Sequence, residues 1–441
     1  MKTLPTWLGA VSSVGKSVGN VGILAGSAFA GQALIALGLP ALSRLYRPED
    51  FGLAAVFAST VGIVTVVASL RYELAIPLPK DDRAASSVLV LAVAIVAGVA
   101  LTVAAAAAIA GDRVLGWVNL SGLGRFLWLL PVSVVGVGLY QVFSFWAIRK
   151  REFRDIARSR LNQALALVTA QGGLGLLGVG PLGLLLGDVL GRMTGLIALA
   201  RAAWRGGGSR FRNVTRADMW SAARRYRTFP LLSSWAALLN NFGVGLPAFV
   251  LASQYGSRVV GWYVLAVRVL AAPMNVVATS VNQVFIADAA RALHTEPKRV
   301  GRLLRKAMVG LLYVAVPYVV VVTLAGPVAF RFIFGTGWEE SGTYARVLAL
   351  MCLLEAVASA TGGVLDVLER QDLHLLREIV RVILLLTAGV CAVLLRATPL
   401  LGLAFLSAAG SVAYIVYIAI SVHALGSGRS HIALGGAGYW E

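Results

Sequence analysis

Apolar runs of helical length, separated by short polar turns and basic segments, set the pattern of this chain. A helix needs about 20 apolar residues to cross a hydrocarbon core ~30 Å thick. Nine stretches approach or exceed that length without Asp, Glu, Lys or Arg: 17–43, 51–70, 84–111, 126–148, 161–187, 228–257, 269–287, 307–330 and 397–428. The fifth divides at Gly178-Val179-Gly180-Pro181, because proline suits the first turn of a new helix. The sixth span so created, 182–203, carries Asp188 and Arg192. Two more, 345–366 and 376–396, carry Glu355 and Arg381. The pattern therefore predicts twelve helices. Period-two alternation is absent, so a membrane β-barrel does not compete. The fold class expected is an all-α polytopic membrane protein.

Composition agrees. Of the 441 residues, 58% are hydrophobic and only 13% charged, about half the ~25% charge of a soluble domain. Disordered, collagen-like and disulfide-scaffold classes are excluded by the same figures. The net charge of +19 first suggests nucleic acid, but its distribution does not. Roughly three in four Lys/Arg fall on one side of the predicted spans, the bias that marks cytoplasmic loops. Both termini are accordingly expected in the cytoplasm, and no nucleic-acid partner is expected. The first span has no small-residue cleavage site after it and reads as an anchor. Cys352 and Cys391 have no metal or redox spacing, and the four histidines are scattered singly, so neither a cofactor nor a metal site is expected.

The chain repeats itself. Gly38-Leu39-Pro40-Ala41 in the first span recurs as Gly245-Leu246-Pro247-Ala248 in the seventh. Each is followed by a polar turn and a glycine-led apolar helix, Phe51-Gly52-Leu53 and then Val260-Gly261-Trp262. Six spans per repeat is an even number, so the halves share one orientation and a pseudo-twofold along the membrane normal. The organisation expected is a six-helix lobe at 1–203, a basic cytoplasmic linker at 204–227, a second six-helix lobe at 228–425 and a cytoplasmic tail at 426–441. The linker's basic residues suit both topology and contact with anionic lipid head groups. Pro40 and Pro247 each remove a helix hydrogen bond at equivalent positions, and with Pro273 they are hinge candidates.

An ordered series of segments now resembles a known family. PALSRLYRPEDFG at 40–52 is followed by SLRYELAIPLPKDD at 69–82, FRDIARSRLNQ at 153–163 and GPLGLLLGDVLG at 180–191. The run from FPLLSS at 229 to VNQVF at 285, FGTGWEESGTYARVLAL at 334–350 and VLERQ at 367–371 complete it. The chain resembles the oligosaccharide flippases of lipopolysaccharide and exopolysaccharide pathways. These form the Wzx-type polysaccharide transporters, within the superfamily (MOP) that includes the MATE exporters and lipid II flippases. The resemblance implies two six-helix lobes around a central cavity. It also implies flipping of an undecaprenyl-diphosphate-linked oligosaccharide across the bacterial inner (cytoplasmic) membrane by alternating access. Partners implied are that substrate, membrane lipids and a polysaccharide polymerase or chain-length machinery.

A diphosphate crossing hydrocarbon needs cations and hydrogen-bonding groups, and ionisable residues within spans are functional candidates by default. Arg268, five residues before Pro273, has no carboxylate within a helical turn. It faces either a cavity or a partner helix, and the related flippases place a cavity arginine here. Arg71, ahead of Tyr72 and Glu73, suits either diphosphate entry or snorkelling. Arg44, near the outer end of the first span, suits the leaving head group or interface anchoring. Asn240, Asn241, Asn282, Gln283 and Tyr263 are candidates for sugar contacts, though amides also join helices in lipid. Glu355, a carboxylate without a basic neighbour on its helix, is a candidate for a coupling H+ or Na+, or for pairing with Arg381. Asp188 is a second coupling candidate, but its i, i+4 spacing to Arg192 favours a self-neutralised ion pair.

The alternative is a MATE-like cation-coupled drug or metabolite antiporter. The first span lacks the carboxylate that many such exporters use there, which weighs against it. An enzyme is excluded by outer loops of about 20 residues or fewer, since polysaccharide polymerases and ligases carry a large periplasmic loop; no nucleophile or metal motif is present either.

Overall fold

The computed structural model describes residues 6–117, 121–367 and 370–434. It is helical throughout, and the described residues contain no strand. The helices in chain order are α1 (Thr6–Leu45), α2 (Pro48–Val66), α3 (Asp82–Trp117), α4 (Leu129–Lys150), α5 (Phe153–Leu176), α6 (Pro181–Arg212) and α7 (Arg216–Arg225). There follow α8 (Ser234–Tyr255), α9 (Ser257–Thr295), α10 (Pro297–Phe334), α11 (Glu339–Val367), α12 (Gln371–Leu394) and α13 (Pro399–Leu434). Apart from the ten-residue α7, each overlaps one of the twelve spans expected from the hydrophobic pattern. Among the described residues, nine are long and apolar enough to cross a membrane. Helices α5 and α12 are as long as spans but carry several charged residues, whereas α8, also of spanning length, carries none.

The chain forms two compact units, Met1–Tyr46 with Phe57–Leu238, and Arg47–Val56 with Leu239–Glu441. In the first unit, α3 packs on α4 through Val88, Leu89, Ala92 and Val96 against Val134, Val142 and Trp146. The Tyr46 hydroxyl donates to the Gln171 carbonyl at 2.7 Å, and Gln171 Nε2 donates to the Leu184 carbonyl at 2.9 Å. Those two bonds tie α1, α5 and α6. Arg149 clamps the segment between the 3-10 turn Tyr72–Ala75 and α3, donating to the Pro79 carbonyl at 2.6 Å and the Asp81 carbonyl at 3.0 Å. Arg149 and Lys150, the last two residues of α4, also hold Asp82.

Helix α2 is shorter than the apolar run 51–70 predicts. It stops at Val66, and Leu70 and Arg71 take left-handed backbone angles, φ 49° and 63°. A β-branched series, Val64-Thr65-Val66-Val67, loses side-chain freedom in a helix. The Ser69 hydroxyl then bonds the buried Glu73 carboxylate four residues on, which stabilises the turn that replaces the last helical residues. The 204–227 stretch expected as a linker is largely helical. Its three consecutive glycines lie within α6, and α7 opens with a capping box in which Thr215 and Asp218 satisfy each other's backbone N–H groups.

In the second unit the repeat becomes visible as a contact. A Cβ on Gly52 would collide with the Ser257 carbonyl, and a Cβ on Gly261 with the Pro48 carbonyl. The segments meet reciprocally, glycine against the start of the equivalent helix, at the two positions the sequence repeat aligns. Glu49 and Arg258, 209 residues apart, form an ion pair beside it. Helices in lipid associate through close packing and hydrogen bonds more than through water exclusion, so glycine is the residue that permits this approach. Deeper in the unit, Met274 and Ala278 of α9 pack on Leu311 and Ala315 of α10 and on Ala356 and Val357 of α11.

Candidate functional site

Five helices of the second unit enclose a polar cavity of about 310 Å³. Asn240 enters from α8, Asn282 from α9 and Glu355 from α11; His374, Arg377, Glu378 and Arg381 enter from α12, and Tyr414 and Tyr417 from α13. The volume lies at the low end for small-molecule sites. It matches a head-group fragment rather than a whole oligosaccharide.

The α12 residues form the centre of this site. Glu378 has a side chain only 8% exposed, although it is an acidic residue. Two guanidiniums compensate it. Arg377 Nε donates to Glu378 Oε1 at 3.1 Å, and Arg381 Nη2 lies 2.7 Å from Glu378 Oε2. Arg381 Nη2 also donates to the Asn240 carbonyl at 2.8 Å and to Asn240 Oδ1 at 3.1 Å, anchoring α12 to α8. The Arg377 guanidinium stacks 4.1 Å over the Tyr417 ring, a cation–π contact that fixes its plane. Gly243, one turn along α8 from Asn240, makes room: a Cβ there would stand 2.7 Å from Arg381 Nη2. On the other wall the Tyr414 hydroxyl donates to the Glu355 carboxylate.

Some polar atoms at this cavity lack a matched partner. The approach of Arg381 to Glu378 Oε2 is an ion pair whose N–H does not aim at the oxygen. That oxygen, Arg381 Nε and Asn282 Oδ1 are buried without a hydrogen bond. An unsatisfied buried polar atom costs about 1–3 kcal/mol, so three around one cavity mark a place made for polar company.

Of the residues singled out in the sequence, the structure brings Asn240, Asn282 and Glu355 together here, with Arg381 opposite. The others lie elsewhere. Arg268 is exposed on α9 and outside this lining, Tyr263 is buried on α9, and Asn241 follows Asn240 on α8. The Gln283 side chain lies outside the described residues. Arg44 is exposed at the end of α1. Arg71 sits in the turn after α2 and meets Glu73 at 3.7 Å. Arg192 Nε donates to Asp188 Oδ2 at 2.7 Å within α6, so the i, i+4 pair forms. Pro40, Pro247 and Pro273 are interior to α1, α8 and α9. Sequence reasoning passed over Arg377, Glu378, His374, Tyr414 and Tyr417. The available signal was Glu378 with Arg381 at i, i+3 inside the expected span 376–396. No group of three His, Cys, Asp or Glu converges as a metal site among the described residues.

Comparison with known proteins places this architecture. Residues 41–343, more than half of the chain, match the family of polysaccharide biosynthesis proteins. The chain belongs to this family. Its fold is that of the MOP superfamily. An inward-facing multidrug-resistance MATE transporter shares 15% identity at a TM-score of 0.71, covering 90% of this chain and 96% of its own. A lipid II flippase, MurJ, in an inward closed conformation shares 13% at 0.72, over 91% and 87%. A MOP-superfamily transporter from Pyrococcus furiosus shares 14% at 0.54, over 92% and 95%. No curated protein sequence matches significantly. Family and fold make the chain a multi-pass membrane protein of polysaccharide biosynthesis with the MOP architecture.

Proposed function

We propose that this transporter flips an undecaprenyl-diphosphate-linked oligosaccharide from the cytoplasmic to the outer leaflet of the bacterial inner membrane, for lipopolysaccharide or exopolysaccharide synthesis. Both termini lie in the cytoplasm in this reading, in line with the asymmetry of basic loops. The observation that carries it is the Arg377–Arg381 pair lining a polar cavity among five helices, in a chain of the polysaccharide biosynthesis family. Guanidiniums grip phosphate oxygens bidentately. The amides and tyrosines around them supply the hydrogen bonds and ring faces that a first sugar requires.

Transport makes and breaks no bond in this mechanism. The transporter alternates between states open to either side, and Pro40, Pro247 and Pro273 are the bends that absorb the change. Glu355, held by Tyr414, is the group proposed to take the coupling cation. Arg268 and Arg71 serve the diphosphate along its path.

The test is deletion of the gene with quantification of lipid-linked repeat units in each leaflet. Accumulation on the cytoplasmic leaflet, reversed by the wild-type chain but not by Arg377→Ala/Arg381→Ala, is the expected outcome. Altered drug susceptibility with unchanged glycan would instead establish a drug antiporter.

A further inference from the structure

The most deeply buried charge of the cavity is also the one that blocks it. Glu378 offers its two oxygens to two guanidiniums, Oε1 to Arg377 and Oε2 to Arg381. A phosphate would meet the same two cations, accepting from Arg377 Nε and pairing by charge with Arg381, whose Nη2 hydrogens both go to Asn240. Charge counting sharpens the point. Both arginines already face the Glu378 carboxylate, so the cluster as it stands offers a diphosphate no guanidinium free of an anion. Yet Arg381 Nε is buried and unpartnered, and so is Asn282 Oδ1. The cluster therefore holds hydrogen-bonding capacity that its own residues leave unused.

We propose that Glu378 is an internal stand-in for the ligand. A diphosphate entering the cavity displaces the Glu378 carboxylate from Arg377 and from Arg381 Nη2, and Arg381 Nε retains the displaced carboxylate. Asn240, through its carbonyl and Oδ1, keeps Arg381 in place during the exchange, and Tyr417 does the same for Arg377. Ligand release restores the Arg377 hydrogen bond and the Arg381 ion pair of Glu378, so neither arginine is left without an anion in the empty protein. An uncompensated buried charge is what makes broken ion pairs costly. Only the identity of the ligand rests on the flippase reading; the exchange is a property of the cluster.

The experiment measures binding of inorganic pyrophosphate to the full chain in nanodiscs by calorimetry. Juxtaposed like charges cost several kcal/mol, so Glu378→Gln is expected to bind about tenfold or more tightly than wild type. Adding Arg381→Gln should abolish that gain. Glu378→Asp, one methylene shorter, cannot span both guanidiniums and should fall between, which preserves the test if the Gln variant fails to insert. Equal or weaker binding by a stably folded Glu378→Gln overturns the proposal. A short-chain phosphatidylglycerol serves as the competing source of phosphate. If it binds in preference to pyrophosphate, the assignment to a lipid-linked diphosphate is overturned. Glycan export by wild-type cells is read separately, so failure of the transporter reading remains distinct from failure of the exchange.

Discussion

Two intrahelical ion pairs in this protein look alike on paper and behave differently in three dimensions. In the first unit, Asp188 and Arg192 sit one turn apart on α6 and satisfy each other at 2.7 Å. In the second, Glu378 and Arg381 also sit one turn apart, on α12, at 2.7 Å. The first pair is complete within one helix. The second is shared among Arg377, Asn240 and a cavity of about 310 Å³, with buried polar atoms left over. A pair that closes on itself needs nothing from its surroundings and can be replaced. One that draws in several helices cannot lose a member without stranding the rest, and that makes it suitable for a ligand.

This contrast can be broken experimentally, and the largest effect should come from Arg381→Ala. It leaves Glu378 buried with one guanidinium, and removing one partner of a buried pair costs about 3–5 kcal/mol. Thermal unfolding in detergent should show that loss together with failure of glycan export; a stability near wild type would dissolve the distinction. Next comes Gly243→Ala, which forces the Arg381 guanidinium aside. Overpacking of this kind costs about 1–3 kcal/mol, and export should fall while membrane insertion persists. An Arg381 that tolerates the methyl would leave export intact and show that its position is not critical.

Replacing Asp188 and Arg192 together by leucine should shift stability by no more than about 1 kcal/mol, because apolar replacement of both partners removes desolvation along with attraction. Loss of export in that double variant would restore Asp188 as a coupling residue. The smallest effect concerns α7. Hydrogen bonds from the Thr215 backbone and hydroxyl hold the Asp218 carboxyl below its ordinary value. A lowered pKa stabilises above the unfolded value and the benefit is lost as pH falls through the folded one. The protection factors of α7 amides should therefore fall in acid, and Thr215→Ala, which removes the hydroxyl but keeps the backbone N–H, should weaken that dependence; an unchanged profile would remove the capping box from α7's stability.

The sequence alone determined the helices and their repetition. Spans of about 20 apolar residues identify helices because unsatisfied backbone groups are intolerable in lipid. The glycine-led starts at Gly52 and Gly261 could be aligned before their carbonyl contacts were known, since close helix approach demands the absence of a side chain. The break at Leu70–Arg71 was not legible. Apolar content says nothing about a hydroxyl that captures a carboxylate four residues on. The site was legible only in part. Asn240, Asn282 and Glu355 stood out because polar groups inside apolar runs do, but Arg377 and Glu378 lay at the edge of a span, where charge reads as an interface flank. Periodicity records which residues share a face of one helix. It does not record which helices adjoin, and the anchoring of Arg381 on Asn240 of α8 and of Arg377 on Tyr417 of α13 is decided by that adjacency alone.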